Sequence, residues 1–290
     1  MADCAKVGVL PQDYSSKLPK GVPPVERAPT SMFPSQVIGP ADTTWYFPID
    51  LPGASPTGVF IPQGFGYQSE VDVILYFHGN KRGEFNTIYQ YWGSGFPYKC
   101  TLREDLNAAG KSALLIAPTM GSAPGAGLTG NADLGVFGKA GGAECFLDHV
   151  MQWLGNYDPH YSLKQGGKVI PKVRKIILAG HSGGGSPIHI QMESLKAKLC
   201  EIWCFDCVYY SVYDWVNFAV YNPTKRVTFY HAIQSLDSLN KLRGLKEVAK
   251  ADLKKPLDNL QFIDAGKDHY KSLTNNFRNQ VKASGCLGAR

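Results

Sequence analysis

KVRKIILAGHSGGG, residues 172–185, is the stretch from which the rest of the chain can be read. Ile176, Ile177, Leu178 and Ala179 form an apolar run that stops at Gly180-His181-Ser182-Gly183-Gly184, and a helical pattern follows. The pattern predicts a strand, a tight turn and a helix, with Ser182 at the apex. A serine on so sharp a turn holds a strained backbone, and the flanking glycines leave the room that this turn needs. The turn lifts the hydroxyl clear of the sheet. It also aims the first N–H groups of the helix at whatever binds there. The five-residue pattern alone is permissive; its weight comes from the strand before it and the helix after it.

Working outward, strands and helices alternate. Val71–Phe77 is a nearly continuous apolar strand, the signature of burial on both faces in a parallel sheet. Helical material over 84–110 ends at Ala109-Gly110, and the next strand, Ser112–Ala117, is closed by Pro118. Residues 119–142 are glycine-rich without periodicity, and a loop of that length is more often functional than accidental. Phe146, Val150, Trp153 and Tyr157 then make one helical stripe that stops near Pro159. After Ser182 a helix carries Ile188, Met192, Leu195 and Leu199 on one face, with Pro187 in its first turn. Strands are expected at Ile202–Tyr209, Arg226–Ala232 and Leu260–Ala265, helices near 236–250 and at Tyr270–Ala283. Such alternation means parallel βαβ units, which place a site at the carboxyl ends of the strands.

The chain of 290 residues, 44% hydrophobic and 19% charged, is ordinary globular material with enough length for a large core. Residues 1–42 read as a proline-rich N-terminal arm: seven of the 19 prolines fall before residue 41, and no periodicity accompanies them. Residues 43–290 read as one domain that opens on antiparallel runs, Trp45–Ile49 and Gly58–Ile61. The net charge of +6 comes from scattered Lys and Arg, a solvated surface rather than a nucleic-acid site. No apolar run approaches the ~18 residues of a membrane span, and no leader peptide is visible, so a soluble protein is expected with its compartment open. The seven cysteines (4, 100, 145, 200, 204, 207 and 286) show no scaffold spacing. Cys200, Cys204 and Cys207 fall in and beside a strand that would send Cys204 and Cys207 to opposite faces. They read as buried structural thiols rather than a metal or thiol centre, with one or two disulfides left open.

An isolated serine hydroxyl is a poor nucleophile near neutral pH. It needs a base within hydrogen-bond reach and a third group to hold that base's tautomer. Of seven histidines, His269 lies in a loop just past the last strand, at the same sheet edge as Ser182, with His231 in reserve. His149 and His160 read as structural, and His181 as locally packed. Two carboxylates compete for the third role. Asp206 is almost the only charge in the apolar run Ile202–Tyr209, where an ionised group is costly unless a partner holds it. Asp237 follows the next strand, where a helix N-terminus alone would also favour it. Tyr76-Phe77-His78-Gly79-Asn80 ends the Val71–Phe77 strand, so the N–H of Asn80 with that of Gly183 would form a two-donor oxyanion hole.

The set of strand-His78-Gly79, strand-Gly180-His181-Ser182-Gly183-Gly184-helix, an acid and then His269 resembles the α/β-hydrolase superfamily over residues 43–285. The resemblance implies an α/β fold with a mostly parallel central sheet flanked by helices. It also implies Ser182 as nucleophile, His269 as base, and Gly183 and Asn80 as oxyanion donors. The family's acid commonly follows the second strand after the nucleophile's, which would favour Asp237; a minority have it one strand earlier, as Asp206 would be. The activity implied is metal-free, cofactor-free hydrolysis of a small-molecule or polymer ester, with amide or peptide hydrolysis by the same residues as the alternative. A non-catalytic binding protein on the same fold is the rival from another class. The aromatic stretch around 209–225 (Tyr209, Tyr210, Tyr213, Trp215, Phe218, Tyr221) reads either as a cap over the site or as a packed insertion.

Overall fold

A computed structural model of the chain describes residues 4, 35–38, 43–47, 57–79, 100–118, 120, 131–162, 168–208, 212–232, 236–253 and 256–290. Its described strands are β1 (Ser35–Ile38), β2 (Thr43–Phe47), β3 (Thr57–Ile61), β4 (Glu70–Phe77), β5 (Leu114–Ala117), β6 (Lys172–His181), β7 (Leu199–Phe205), β8 (Arg226–His231) and β9 (Leu260–Asp264). They form one sheet in the order β1-β2-β3-β5-β4-β6-β7-β8-β9. Pairing is antiparallel from β1 through β3 to β5 and parallel from β5 across to β9.

The described helices are α1 (Leu102–Ala109), α2 (Gly142–Tyr157), α3 (Pro159–Ser162), α4 (Gly185–Gln191), α5 (Val212–Tyr221), α6 (Leu236–Leu253), α7 (Lys271–Thr274) and α8 (Phe277–Ala283), with a 3₁₀ segment at Asn131–Gly138. The two-residue alternation of the strands sorts the core into two layers. Val73, Leu75 and Phe77 of β4 and Ile176 and Leu178 of β6 face one side, packed with Phe146, Val150 and Trp153 of α2. Ile74 and Tyr76 of β4 and Ile177 and Ala179 of β6 face the other, against Leu106 of α1 and Phe277 and Val281 of α8. Burial on both faces is why these strands read as unbroken apolar runs. Each such large side chain, fully buried, contributes roughly 1.5–3 kcal/mol.

The chain leaves β4 for β5 on one side and returns to β6 on the other. Adjacent strands whose connections depart in opposite directions open a crevice at their carboxyl ends. Phe77 of β4 pairs in register with Gly180 of β6, so the His78-Gly79 loop and the Ser182 turn leave the sheet side by side at that crevice.

Several boundaries differ from the sequence reading. Among the described residues the sheet's first strand is Ser35–Ile38, inside the stretch read as an aperiodic arm; most of that arm lies outside the described residues. Of the helical segment 84–110, Leu102–Ala109 is described as α1. α4 ends at Gln191 rather than running on to Leu199: residues 192–198 are turns and Leu199 already opens β7. Ile188, Met192, Leu195 and Leu199 are all buried, so the apolar spacing reported burial rather than one continuous helix. β7 stops at Phe205, well before Tyr209, because Asp206 takes a left-handed backbone with φ 48° and turns the chain out of the sheet. That turn also overturns the expectation that Cys204 and Cys207 face opposite sides. Alternation ends at the turn, and both thiols enter the same core layer. The C-terminal helix is two short ones, α7 and α8.

Of the aromatic segment, residues 209–211 lie outside the described residues, and α5 is the crossover between β7 and β8. Its Trp215 and Phe218 are buried in the core, Trp215 edge-on to Phe229 of β8 with ring centroids 5.4 Å apart, while Tyr213 and Tyr221 are exposed. Cys4 is joined to Cys145 and Cys200 to Cys286 by disulfides; Cys100, Cys204 and Cys207 stay as buried thiols. Among the described residues no helix is long and apolar enough to cross a membrane.

Candidate functional site

The turn that carries Ser182 is shaped by glycines with no spare volume. A Cβ on Gly180 would lie 2.8 Å from Ile188 Cδ1 and 2.9 Å from the Gly184 carbonyl oxygen. One on Gly184 would overlap the carbonyl oxygen of Phe77, and one on Gly185 that of Cys207. The motif thus extends one residue past its usual five, because β4 and the chain after β7 close on the first turn of α4 from both sides. Ser182 itself has φ 52° and is partly exposed. A left-handed backbone is disfavoured for a residue with a Cβ by roughly 1–2 kcal/mol, so the surrounding packing holds it there.

His269 follows β9, in the short segment before α7, and its side chain is 11% exposed. Its Nδ1 lies 2.5 Å from Asp206 Oδ2, and the Asp206 side chain is fully buried. The second carboxylate oxygen, Oδ1, accepts the Ala232 N–H at 3.0 Å, and the Asp206 N–H donates to the Tyr230 carbonyl at 2.6 Å. One bond thus anchors the Asp206 backbone to β8, the other orients its carboxylate from the segment just past β8, and the remaining oxygen meets the imidazole. A carboxylate at Nδ1 holds the proton on that nitrogen and leaves Nε2 as an acceptor. The His269 ring in turn lies beside that of His181, the residue before Ser182, with centroids 4.3 Å apart. The structure brings Asp206 to His269. Asp237 begins the α6 helix, and its side chain lies outside the described residues.

His78 is fully buried and neutral. Its Nδ1 donates to the Gly79 carbonyl at 2.8 Å, its Nε2 accepts the Met120 N–H at 2.7 Å, and burial pulls its pKa down to about 4. It is a support for the loop. Asn80, the second oxyanion candidate, lies outside the described residues, and Gly183 sits in the 3₁₀ turn that leads into α4. His231, the reserve base, is turned to another use: its Nε2 accepts from Arg243 Nη2 at 2.9 Å. His160 stacks on Tyr67 with centroids 3.9 Å apart, a structural contact. Among the described residues no three His, Cys, Asp or Glu side chains gather as a metal site would require, and Cys200 is taken up by its disulfide.

No protein-family model matches the chain, and no curated protein sequence matches it. Solved structures do. An S-formylglutathione hydrolase from Agrobacterium tumefaciens aligns over 86% of this chain and 96% of its own, at 12% identity and a TM-score of 0.50. A thermostable esterase aligns over 78% of this chain and 57% of its own, again at 12% identity and a TM-score of 0.50. At such identities the likeness concerns the fold. The chain has the α/β-hydrolase fold, a mostly parallel sheet with helices on both faces.

Proposed function

We propose that the protein is a serine hydrolase of carboxylic esters, with Ser182 as nucleophile, His269 as general base and Asp206 as the acid that orients it. The observation that carries this reading is the Asp206 Oδ2–His269 Nδ1 contact of 2.5 Å at the sheet edge where Ser182 leaves β6. It also weighs against a binding protein that merely keeps the fold, whose base would have no carboxylate beside it. The esterase and the S-formylglutathione hydrolase among the structural neighbours support the reading.

In the proposed reaction Ser182 Oγ attacks the acyl carbon while His269 Nε2 takes the hydroxyl proton. The imidazolium is stabilised by the Asp206 carboxylate and returns the proton to the departing alkoxide. The acyl group is left on Ser182. Water then attacks the acyl-enzyme, gives its proton to His269, and the acid is released as serine regains its hydrogen. The negative oxygen of each tetrahedral intermediate is assigned to the N–H groups of Gly183 and Asn80. One such donor is typically worth about 2.7–4 kcal/mol of transition-state stabilisation.

The test is direct. A fluorophosphonate should label the intact protein at Ser182 and leave Ser182→Ala unlabelled, and short p-nitrophenyl esters should be turned over only by the former. Asp206→Asn should lower kcat by about 10⁴-fold, as loss of the orienting carboxylate does in other triads, and Asp237→Asn should leave it within a few-fold. Full hydrolysis by Ser182→Ala would sink the reading. Cleavage of amides as fast as esters would move it to the alternative class.

A further inference from the structure

His181 stands between the strand and the nucleophile, and the reaction as written gives it no task. Its surroundings are nevertheless specific. It is the last residue of β6, paired in register with Phe205, and it is fully buried. Its Nε2 lies 3.0 Å from the carbonyl oxygen of His269. A carbonyl only accepts, so His181 carries its proton on Nε2 and donates it. The same carbonyl accepts a second hydrogen bond from Ser272 Oγ at 2.7 Å. The His181 ring lies 4.3 Å from that of His269 and 5.4 Å from that of Tyr270.

The position of His269 makes these contacts consequential. It lies in the short segment between β9 and α7, in which Gly266, Lys267 and Asp268 are exposed and Gly266 has φ 83°. Such a segment has little packing of its own to fix the angle at which the imidazole approaches Ser182. The Asp206 contact fixes one atom of the ring and leaves rotation about the Asp206–Nδ1 axis open. A donor to the backbone carbonyl and a ring against one imidazole face close that freedom.

We propose that His181 is a positioning residue for the base: its Nε2–H holds the His269 backbone and its ring backs the His269 imidazole, setting the approach of Nε2 to Ser182. The inference rests on the reading in which His269 is the base. His181 suits this task only as a neutral ring, since a second cation 4.3 Å away would oppose the imidazolium that His269 becomes. Among the described residues, the titratable groups that face it are His269 and Tyr270 from the segment after β9, and Asp206 from the end of β7. Burial, with the neighbouring His269 charge, pulls its pKa down to about 3, while the His269 carbonyl and the Asp206 charge act weakly the other way. Geometry and desolvation therefore agree.

Two experiments separate this role from simple packing. In the intact protein, imidazole ¹H–¹⁵N NMR should show His181 as the neutral Nε2–H tautomer from pH 8 to pH 5. A His181 that titrates in that range overturns the proposal whatever the catalytic outcome. For kinetics with p-nitrophenyl acetate, His181→Phe keeps a ring and removes the donor, whereas His181→Gln places an amide near the former Nε2. His181→Phe should lower kcat about 10- to 100-fold, the scale of a small misplacement of the reacting groups, with KM changed less than about twofold. His181→Gln should recover most of that loss. Equal activity of His181→Phe and the parent protein, or equal losses in both variants, overturns the proposal. Fluorophosphonate labelling of Ser182 in the parent protein reports separately on whether the esterase reading holds.

Discussion

Ser182 and Asp206 are the first residues past the ends of two adjacent parallel strands. His181, the last residue of β6, pairs with Phe205, the last of β7, and Ser182 and Asp206 follow them directly. Each has a left-handed backbone, φ 52° and 48°, and they are the only described non-glycine residues with positive φ. Two neighbouring strands thus end in the same strained turn at the same height, and both side chains leave the sheet at one edge. Packing and hydrogen bonds hold a conformation that an L-residue otherwise avoids at roughly 1–2 kcal/mol.

The strain at Ser182 gives the first prediction. Ser182→Gly relieves the left-handed backbone and should raise the stability by about 0.5–1 kcal/mol, net of the extra unfolded-state entropy of glycine. Ser182→Ala keeps the Cβ and should not. Both should be inactive. Urea midpoints of the two variants against the parent protein test it, and equal midpoints would remove strain from the account of this turn.

Gly185 and Gly244 form a matched pair for the second. A Cβ on Gly185 would overlap the Cys207 carbonyl oxygen, which is backbone and cannot step aside without moving the chain after β7. Gly185→Ala should cost at least about 3 kcal/mol and displace the Ser182 turn, so activity falls with stability. Gly244 lies exposed within α6, and a Cβ there would meet nothing within 4 Å. Gly244→Ala should stabilise by about 1 kcal/mol and leave activity alone. Thermal melts of the two variants should therefore move in opposite directions.

Acid should weaken the fold through its buried histidines. His78 and His181 are both fully buried, and burial lowers their pKa values from the ordinary 6.5 to about 4 and about 3. Below pH 6.5 the unfolded chain takes up protons that the folded one refuses, so stability falls as pH falls. The slope is about 1.4 kcal/mol per pH unit for each histidine, and it ends only near the folded pKa values. Urea midpoints at pH 7.5, 6 and 5 should drop steeply over the last interval. Midpoints that stay level from pH 7.5 to pH 5 would contradict the neutral assignment of both rings.

Much of this site was legible in the chain itself. The apolar runs of β4 and β6 carry no alternation because both their faces are covered, and the glycines around Ser182 mark a turn that any larger residue would block. Asp206 stood out because a lone charge in an apolar run needs a partner. What local pattern could not convey was distance. The end of β7 is set by the backbone of Asp206, and the apolar residues beyond it, Cys207 and Val208, carry no stop signal. His181 read as locally packed because its partner lies 88 positions further along the chain. Cys200 and Cys286, 86 apart, meet only because the C-terminal tail returns to the start of β7.

The cysteines carry the last prediction. The Cys207 thiol donates to the Gly180 carbonyl at 3.3 Å, just behind the Ser182 turn, and the Cys204 thiol is buried in the same core layer. Burial pushes the Cys207 thiol well up and the Cys100 thiol up to about 12, so neither offers the thiolate that reacts with alkylating agents or oxidants. Iodoacetamide at pH 8 should leave the folded, unreduced protein almost unmodified. In denaturant without reductant it should add three groups, at Cys100, Cys204 and Cys207, and a peptide map should recover Cys4–Cys145 and Cys200–Cys286 as linked pairs. Reduction should then cost stability, because each bridge closes a long loop: separations of 141 and 86 residues correspond to about 4–5 kcal/mol apiece in the chain-entropy treatment. A map with Cys204 linked to Cys207 would refute the assignment, since that bond would remove both thiols from the core contacts that now back the nucleophile turn.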